Sequence, residues 1–207
     1  MNAHTPNQKM FNIPPATLWL CGILIGVALL RMVLPADTEG RVLFYGLFIP
    51  LRITELNDGY WTFLTYGFFH HGFMHLAINT GMIVAMGSLL ERLTGSSGFI
   101  LTFGMGCIGG ALAFWAYDPS SQAPLIGASG GLTALLGAAA IVMRHTFRFD
   151  PRSRMLIILV AIGVAFDLFN ALAGSSGIGW QAHLGGLVTG LLIGFGMTRM
   201  IGPAGRY

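Results

Sequence analysis

Six apolar segments, each of about 20 residues, dominate this chain of 207 residues and decide what it can fold into. They lie at 17–34, 72–90, 98–117, 125–143, 155–172 and 180–200. Only 9% of the residues are charged, whereas about a quarter are charged in an ordinary soluble domain. The sequence therefore predicts an all-α membrane protein built as a bundle of six transmembrane helices, and it excludes a soluble globular fold.

The residues outside these segments are too few for a second domain. We expect one membrane domain at 17–201, with short cytoplasmic tails at 1–16 and 202–207. No small-residue cleavage site follows the first segment and five more segments come after it, so it is interpreted as a helix and not as a signal peptide. The two cysteines, Cys21 and Cys107, lie inside apolar segments and do not indicate a disulfide framework.

The distribution of positive charge predicts the orientation in the membrane. The net charge of +3 is too small for a nucleic-acid surface. With a cytoplasmic N-terminus, the cytoplasmic side holds eight basic residues, namely Lys9, Arg92, Arg144, Arg148, Arg152, Arg154, Arg199 and Arg206. The outer side holds three, Arg31, Arg41 and Arg52. Because basic residues favour the cytoplasmic side, both termini are predicted to lie there.

The long connection at 35–71 then lies outside. It is rich in Phe, Leu and Tyr and contains Pro50. This composition predicts a loop seated in the membrane interface and interrupted by Pro50. Trp61 and Tyr66 suit an interfacial belt of aromatic side chains.

A few polar side chains fall inside the apolar segments, where each costs at least a few kcal/mol and is a functional candidate. They are His75, Asn79, Asp167 and His183, with His70 and His71 at the start of the second segment. The alternative for each one is a hydrogen bond to a neighbouring helix. His75 and Asn79 lie on one helical face. With the predicted orientation, they share the outer leaflet with His183.

Ser129 is the candidate nucleophile because of its depth. A helix from Ser129 to Met143 covers about 21 Å of a roughly 30 Å hydrocarbon core. The fourth helix is therefore predicted to be short, and the chain before it to enter the membrane in non-helical form. Such backbone is tolerated where it is buried in protein or lines a water-filled cavity. A helix start also offers free N–H groups, which can bind an oxyanion.

Small residues predict close contact between the fourth and sixth segments. Every fourth residue of the sixth segment is small, at Ala182, Gly186, Gly190 and Gly194. The fourth segment offers Gly130, Ala134 and Gly137 in return. Plain helix packing explains these residues by itself. It also brings Ser129 towards His183, as a Ser–His hydrogen bond requires.

Other candidate sites in the sequence have weaker support. The pattern Gly-x-Ser-Gly occurs at Ser97, Ser129 and Ser176, but Ser97 is predicted on the cytoplasmic side and Ser176 in a Gly/Ser connection. Residues 127–131 match the nucleophile elbow of soluble hydrolases, which requires a preceding strand and is rejected here. A zinc site at His71, His75 and His183 would lack the glutamate of a metalloprotease, because residue 72 is glycine. We therefore expect neither a metal nor a cofactor.

Three motifs together resemble the rhomboid family of intramembrane serine proteases, in its basic six-helix bacterial form. They are WTFLTYGFFHHGFMHLAIN at 61–79, GASG at 127–130 and AHLGG at 182–186. The resemblance implies a rhomboid-like six-helix fold with no cofactor. It also implies hydrolysis of single-pass transmembrane proteins within the lipid bilayer, in a bacterial inner membrane, by an active site that opens to the outer side.

The resemblance also implies roles for individual residues. Ser129 is the nucleophile and His183 the general base of a dyad. The oxyanion hole consists of His75, Asn79 and the Ser129 N–H. The supporting residues are Gly127, His70 and Gly186.

Two positions qualify this resemblance. The family usually has Trp-Arg where this chain has Trp61-Thr62, which indicates that an anchor of the first loop is weaker or replaced. Asp167, followed by Leu168 and Phe169, resembles the family's fifth helix. Because the family works as a dyad, Asp167 is expected to serve helix packing or a local hydrogen bond and not catalysis.

Two functions from other classes remain as alternatives. A rhomboid-like pseudoprotease would bind transmembrane helices without cutting them, although such proteins normally lack the serine or the histidine. A channel or transporter would use the same histidines as an ion path, although the sequence shows no inverted repeat. The sequence does not identify the substrate or the oligomeric state.

Overall fold

A computed structural model of the chain describes residues 12–147, 150–173 and 179–201. These residues form eight α-helices: α1 (Pro15–Val33), α2 (Ala36–Gly46), α3 (Pro50–Leu56), α4 (Thr62–Thr65), α5 (Phe73–Tyr117), α6 (Ser129–Thr146), α7 (Pro151–Leu172) and α8 (Trp180–Ile201). Within the described ranges no β-strand forms, and an isolated antiparallel bridge joins Phe48 to Leu125. The prediction of an all-α fold is confirmed. The predicted tails at 1–16 and 202–207 lie largely outside the described residues.

Local sequence explains where two of the long helices begin. α1 and α7 have Pro15 and Pro151 at their first position, where the missing N–H has no partner to lose. Asp150 caps α7, because its carboxylate accepts the N–H of Arg152 at 2.8 Å. α7 therefore begins four residues before the predicted start at 155.

The second and third apolar segments meet end to end in α5. Gly95 is the one residue with non-helical geometry inside this element, with φ +76° and ψ 170°. Glycine adopts this conformation without the penalty that a side chain would bring. Gly95 therefore separates two helices, and the connection predicted at 91–97 is shortened to a kink at this one residue.

α6 packs against α5 and α8 through small residues. A Cβ atom at Gly186 of α8 would lie 2.0 Å from the carbonyl oxygen of Gly130, and one at Gly190 would lie 2.1 Å from that of Ala134. On the other side of α6, a Cβ at Gly106 would lie 2.3 Å from the Cβ of Ala134. These distances leave no room for a side chain on either face. The predicted small-residue contact between the fourth and sixth segments is confirmed.

Three of the described helices, α1, α5 and α7, are long and apolar enough to cross a membrane. α7 shows the pattern most clearly. Many of its large apolar side chains are exposed, whereas its buried residues are Ser153, Leu156, Asp167 and Asn170. Apolar side chains facing outward and polar ones facing the protein are typical of a lipid-facing helix. Which helices span a bilayer, and in which direction, stays a prediction.

The connection at 35–71 is more ordered than the predicted interfacial loop. It contains α2, α3, α4 and a 3₁₀ turn at Tyr66–Phe68, and Pro50 begins α3. Trp61 is half exposed, as an interfacial residue should be. Tyr66 is buried, and its hydroxyl donates to the carbonyl of Cys107 at 2.9 Å. The assignment of Tyr66 to an interfacial belt is therefore wrong.

An arginine from α3, Arg52, lies beside Trp61. Thr62 is buried, and its hydroxyl donates to the carbonyl of Gly59. Arg52 is also buried and pairs with Asp58 at 2.6 Å. Its guanidinium carbon lies 5.6 Å from the centroid of the Trp61 ring, within cation–π range. The connection thus has a guanidinium beside Trp61, supplied from α3.

The buried carboxylate of Glu91 ties α1 to α5. It accepts the backbone N–H groups of Ala16 and Thr17 at 3.0 and 2.8 Å, and the hydroxyls of Thr17 and Ser96 at 2.8 and 2.7 Å. It therefore supplies the cap that the first turn of α1 lacks among its own side chains.

Glu91→Ala is expected to destabilise the protein by at least about 3 kcal/mol, because it leaves several buried donors unpaired. The measurement is unfolding in detergent, followed by circular dichroism. Glu55 is an exposed glutamate, so Glu55→Ala is the control, with a change within about 0.5 kcal/mol. Equal stability of the two variants would contradict the role of Glu91 as a cap.

Candidate active site

Ser129 is the first residue of α6, as predicted. The residues before it, 122–128, are not helical, and Leu125 and Ala128 are buried there. Gly127 has φ +116°, a conformation that L side chains rarely adopt. From Leu125 onward the chain therefore reaches Ser129 as irregular backbone largely enclosed by protein, which is the setting in which such backbone is tolerated at membrane depth.

Three of the backbone N–H groups that precede Ser129 in this segment have hydrogen-bond partners. The N–H of Leu125 donates to the carbonyl of Phe48 at 2.8 Å, and that of Gly127 to the carbonyl of Tyr66 at 3.2 Å. The N–H of Ala128 donates to Nε2 of His70 at 3.4 Å. The next amide belongs to Ser129, in the first turn of α6, where N–H groups have no partner within the helix.

His183 lies near the start of α8, next to the small residues that contact α6. A Cβ at Gly130 would lie 3.5 Å from the carbonyl oxygen of Ala182, and one at Gly186 would lie 2.0 Å from that of Gly130. Gly130 follows Ser129 and Ala182 precedes His183, so the residues flanking the predicted pair are in contact. The side chain of His183 is 20% exposed.

The His75 ring lies against the chain that leads to Ser129. A Cβ at Gly127 would lie 2.7 Å from Cε1 and 2.8 Å from Nε2 of His75. The backbone N–H of His71 donates to Nδ1 of His75 at 3.4 Å. An Nδ1 that accepts this N–H favours the neutral tautomer with the proton on Nε2, the nitrogen that faces Gly127. His75 therefore presents a donor on this side of the site.

Asn79 lies one helical turn beyond His75 on the same face and is buried. Its Nδ2 donates to the carbonyl of His75 at 2.9 Å, and its Oδ1 has no partner among the described residues. An amide nitrogen carries two N–H bonds. One of them is therefore left for a ligand.

His70 and His71 occupy different positions. His71 is exposed, but His70 is buried beside His75, with ring centroids 5.1 Å apart. His70 is therefore enclosed by protein. Its Nε2 accepts the N–H of Ala128. The guanidinium of Arg31 holds the same turn by donating to the carbonyl of His70 at 2.9 Å.

The buried position of His70 predicts a loss of stability in acid. Burial lowers the pKa of His70 to about 4 from its usual 6.5, and the neighbouring His75 and Arg31 add to the effect. The unfolded chain takes up a proton there below pH 6.5, whereas the folded chain does so only near pH 4. The free energy of unfolding should therefore be unaffected by His70 above pH 6.5. It should fall by up to about 1.4 kcal/mol per pH unit as the pH drops towards 4.

Thermal unfolding in detergent at pH 7 and pH 5 measures this loss. His70→Gln has no titrating ring and should lose less stability than the wild type over the same interval. An identical loss in both proteins would show that His70 is not its source.

Three contacting residues were missed or given another role by the sequence. Tyr66 accepts the Gly127 N–H, and its hydroxyl lies 2.7 Å from where a Gly130 Cβ would be. Arg31 was counted only as an outer charge. Asp167 was expected in packing or a local bond, but its Oδ1 lies 2.8 Å from Nδ1 of His183 on another helix. No local spacing signals these long-range contacts, and the polarity of Asp167 inside a helix was the one hint.

The structure also bears on the two alternative serines and on the alternative metal site. Ser97 is an exposed residue of α5, and Ser176 lies outside the described residues. Within the described ranges, no group of three or more His, Cys, Asp or Glu side chains is placed to hold a metal ion.

Comparison with known proteins adds a separate line of information. The family model described as "Rhomboid domain" matches residues 57–200. The chain is 30% identical over 141 residues to the putative rhomboid protease YdcA of Bacillus subtilis, which covers 67% of this chain and 68% of that protein. It is 33% identical to the rhomboid protease GluP of Bacillus subtilis, over 63% of this chain and 25% of that protein.

A human protein, rhomboid-related protein 3, is 27% identical over 86% of this chain. This chain spans only 44% of the human protein's length. The similarity to it and to GluP is therefore a similarity to part of a longer protein.

Proposed function

Because the chain belongs to the rhomboid family of integral membrane proteins, we propose that it is a serine endopeptidase acting within the membrane. It hydrolyses peptide bonds in or near transmembrane segments of single-pass proteins. Ser129 is the nucleophile and His183 the general base. Rhomboid membership supports a protease-like function at the level of the family, and the residue roles are our proposal.

The observation that carries the proposal is the contact between the head of α6 and the start of α8. The absence of side chains at Gly130 and Gly186 allows the two backbones to touch. Ser129 and His183 are the neighbours of residues in this contact. A nucleophile and a base on facing helix ends, held by close packing, suit proton transfer between their side chains.

The reaction proceeds in two stages. His183 takes the proton of the Ser129 hydroxyl as the oxygen attacks the scissile carbonyl, and then gives that proton to the leaving amine as the peptide C–N bond breaks. A water molecule, deprotonated by His183, attacks the acyl-enzyme, and Ser129 regains its proton when the ester bond breaks.

The oxyanion hole is formed by three donors: Nε2–H of His75, the free N–H of the Asn79 amide and the backbone N–H of Ser129. Two features support this set. The His71 amide donates to Nδ1 of His75, which favours the tautomer with the proton on Nε2, facing Gly127. The neighbouring amides of Gly127 and Ala128 are already engaged. Such fixed donors stabilise the developing charge without reorganisation.

The membrane sets two requirements for this reaction. Water must reach Ser129, which we propose occurs through a cavity open to the outer side. The substrate helix must unwind locally, because its backbone groups are already paired. The predicted cytoplasmic side holds eight basic residues and the outer side holds three, which supports cytoplasmic termini. A bacterial inner membrane is the proposed location.

Cleavage of a single-pass substrate by the purified protein in liposomes tests the proposal. The substrate panel should carry a small residue at the cut and helix-breaking residues nearby. We expect fragments of defined length, formed equally with and without a chelator. Wild-type protein that binds the whole panel and cuts none of it would instead support the pseudoprotease. Ion flux that survives Ser129→Ala would support the channel.

A further inference from the structure

The carboxylate of Asp167 contacts the proposed base from a different helix. Oδ1 of Asp167, on α7, lies 2.8 Å from Nδ1 of His183, on α8. The two side chains are 7% and 20% exposed. In the part of the chain that the structure describes, His183 is the sole hydrogen-bond partner of this carboxylate. A carboxylate so little exposed needs a donor, and the proposed base provides it.

We propose that Asp167 is a positioning residue, whose carboxylate accepts the Nδ1–H of His183 and thereby directs the unprotonated Nε2 of the ring towards Ser129. The inference rests on the proposed function and extends it. It assigns to Asp167 a role beyond the helix packing expected of it.

Ring chemistry gives the contact its meaning. A neutral imidazole carries one proton, and a base must present its free nitrogen to the nucleophile. An ionised carboxylate accepts and cannot donate, so at Nδ1 it favours the tautomer with the proton there. Nε2 is then the nitrogen with a lone pair. The same bond fixes rotation of the ring and stabilises the imidazolium that forms when Ser129 gives up its proton.

The described C-terminal half of α7 offers no second polar side chain for this contact. The other buried polar side chain in the C-terminal half of α7 is Asn170, and its amide donates to the carbonyl of Phe166 within the same helix. Leu168 and Phe169 are exposed apolar residues. Among the described side chains in this half of α7, Asp167 is therefore the one that hydrogen-bonds to another helix.

Two variants and one matched control test the role in steady-state cleavage. Asp167→Ala should lower kcat by about 10²-fold, with KM within about twofold, because the base is displaced and substrate binding is not. Asp167→Asn should fall between Asp167→Ala and the wild type. Its amide oxygen can accept the Nδ1–H, but its NH₂ group also offers a donor that favours the wrong tautomer. Asn170→Ala removes a neighbouring buried polar side chain from α7 and should leave kcat within about threefold.

The tautomer itself provides a readout that does not depend on activity. Nitrogen NMR of ¹⁵N-histidine-labelled protein in detergent distinguishes a protonated from a bare ring nitrogen, and His183→Ala identifies the His183 signals. In the wild type at neutral pH, we expect Nδ1 protonated and Nε2 bare. Asp167→Ala should give a mixture of the two tautomers.

The cleavage assay and the NMR measurement together distinguish the positioning role of Asp167 from the proposed protease function. An unchanged tautomer and unchanged kcat in Asp167→Ala would overturn the positioning role. Equal losses of kcat in Asp167→Ala and Asn170→Ala would also overturn it, because both would then reflect loosening of α7. A wild type that cuts no substrate, yet shows the expected tautomer, would refute the proposed function and leave the Asp167–His183 bond established.

Discussion

Ser129→Ala is expected to lower the rate of substrate cleavage by at least about 10³-fold while leaving the fold intact. The hydroxyl supplies the atom that forms the acyl-enzyme, and the alanine side chain offers none. The side chain of Ser129 is only partly buried. Ser129 begins α6, and the packing of this helix depends on Gly130, Ala134 and Gly137. Unfolding temperature and cleavage rate, measured on the same preparation, separate loss of chemistry from loss of structure.

His183→Ala should lose activity to a similar extent, and combining it with Ser129→Ala should add little, because the two residues act as one unit. Ser97→Ala is the matched control, since Ser97 stands in the same Gly-x-Ser-Gly pattern and is exposed on α5. It should keep full activity. Cleavage that persists in Ser129→Ala would refute the nucleophile and return attention to Ser176.

Gly186→Ala is expected to be among the most damaging of the single-methyl substitutions in α8. The new Cβ would lie 2.0 Å from the carbonyl oxygen of Gly130 and 2.5 Å from Oγ1 of Thr133. The backbone oxygen cannot move aside without shifting α6, so the two helices must separate. We expect a loss of about 3 kcal/mol of stability and a nearly complete loss of cleavage, because the contact that places His183 beside Ser129 is opened.

Gly196→Ala makes the same chemical change further along the same helix, where a Cβ would meet nothing within 4 Å. It should change stability by less than about 1 kcal/mol, with a small gain expected because alanine favours helix. Unfolding in detergent and the cleavage assay compare the two variants. If Gly186→Ala matched Gly196→Ala in both, the close contact between α6 and α8 would not be required.

The sequence alone predicted the parts of the site that depend on a residue pattern within one helix. The four-residue spacing of Ala182, Gly186 and Gly190 predicted the face of α8 that meets α6, because close approach of two helices requires a small residue at each consecutive turn. The start of a helix at Ser129 was also predicted, and α6 runs from there to Thr146, three residues beyond the predicted end at Met143. These predictions needed no knowledge of distant contacts.

Contacts between distant parts of the chain were beyond local patterns. Tyr66 was assigned to the interface on its residue type, but the structure buries it beneath Gly127 and Gly130. Arg52 lies ten positions before Thr62, and only the folding of α3 brings its guanidinium to Trp61. Asp167 was recognised as costly in a membrane, but its partner depended on how α7 packs against α8. Each of these depends on tertiary packing, which local spacing does not encode.

The site of covalent attachment of a fluorophosphonate probe tests the central claim most directly. Such a probe traps an activated serine without any choice of substrate, and peptide mass spectrometry locates the adduct. We predict a single adduct on Ser129 in the wild type, lost in Ser129→Ala and strongly slowed in His183→Ala, because the hydroxyl is then no longer activated. An adduct on Ser97 or Ser176, or labelling of Ser129 at the wild-type rate without His183, would contradict the proposed Ser129–His183 dyad.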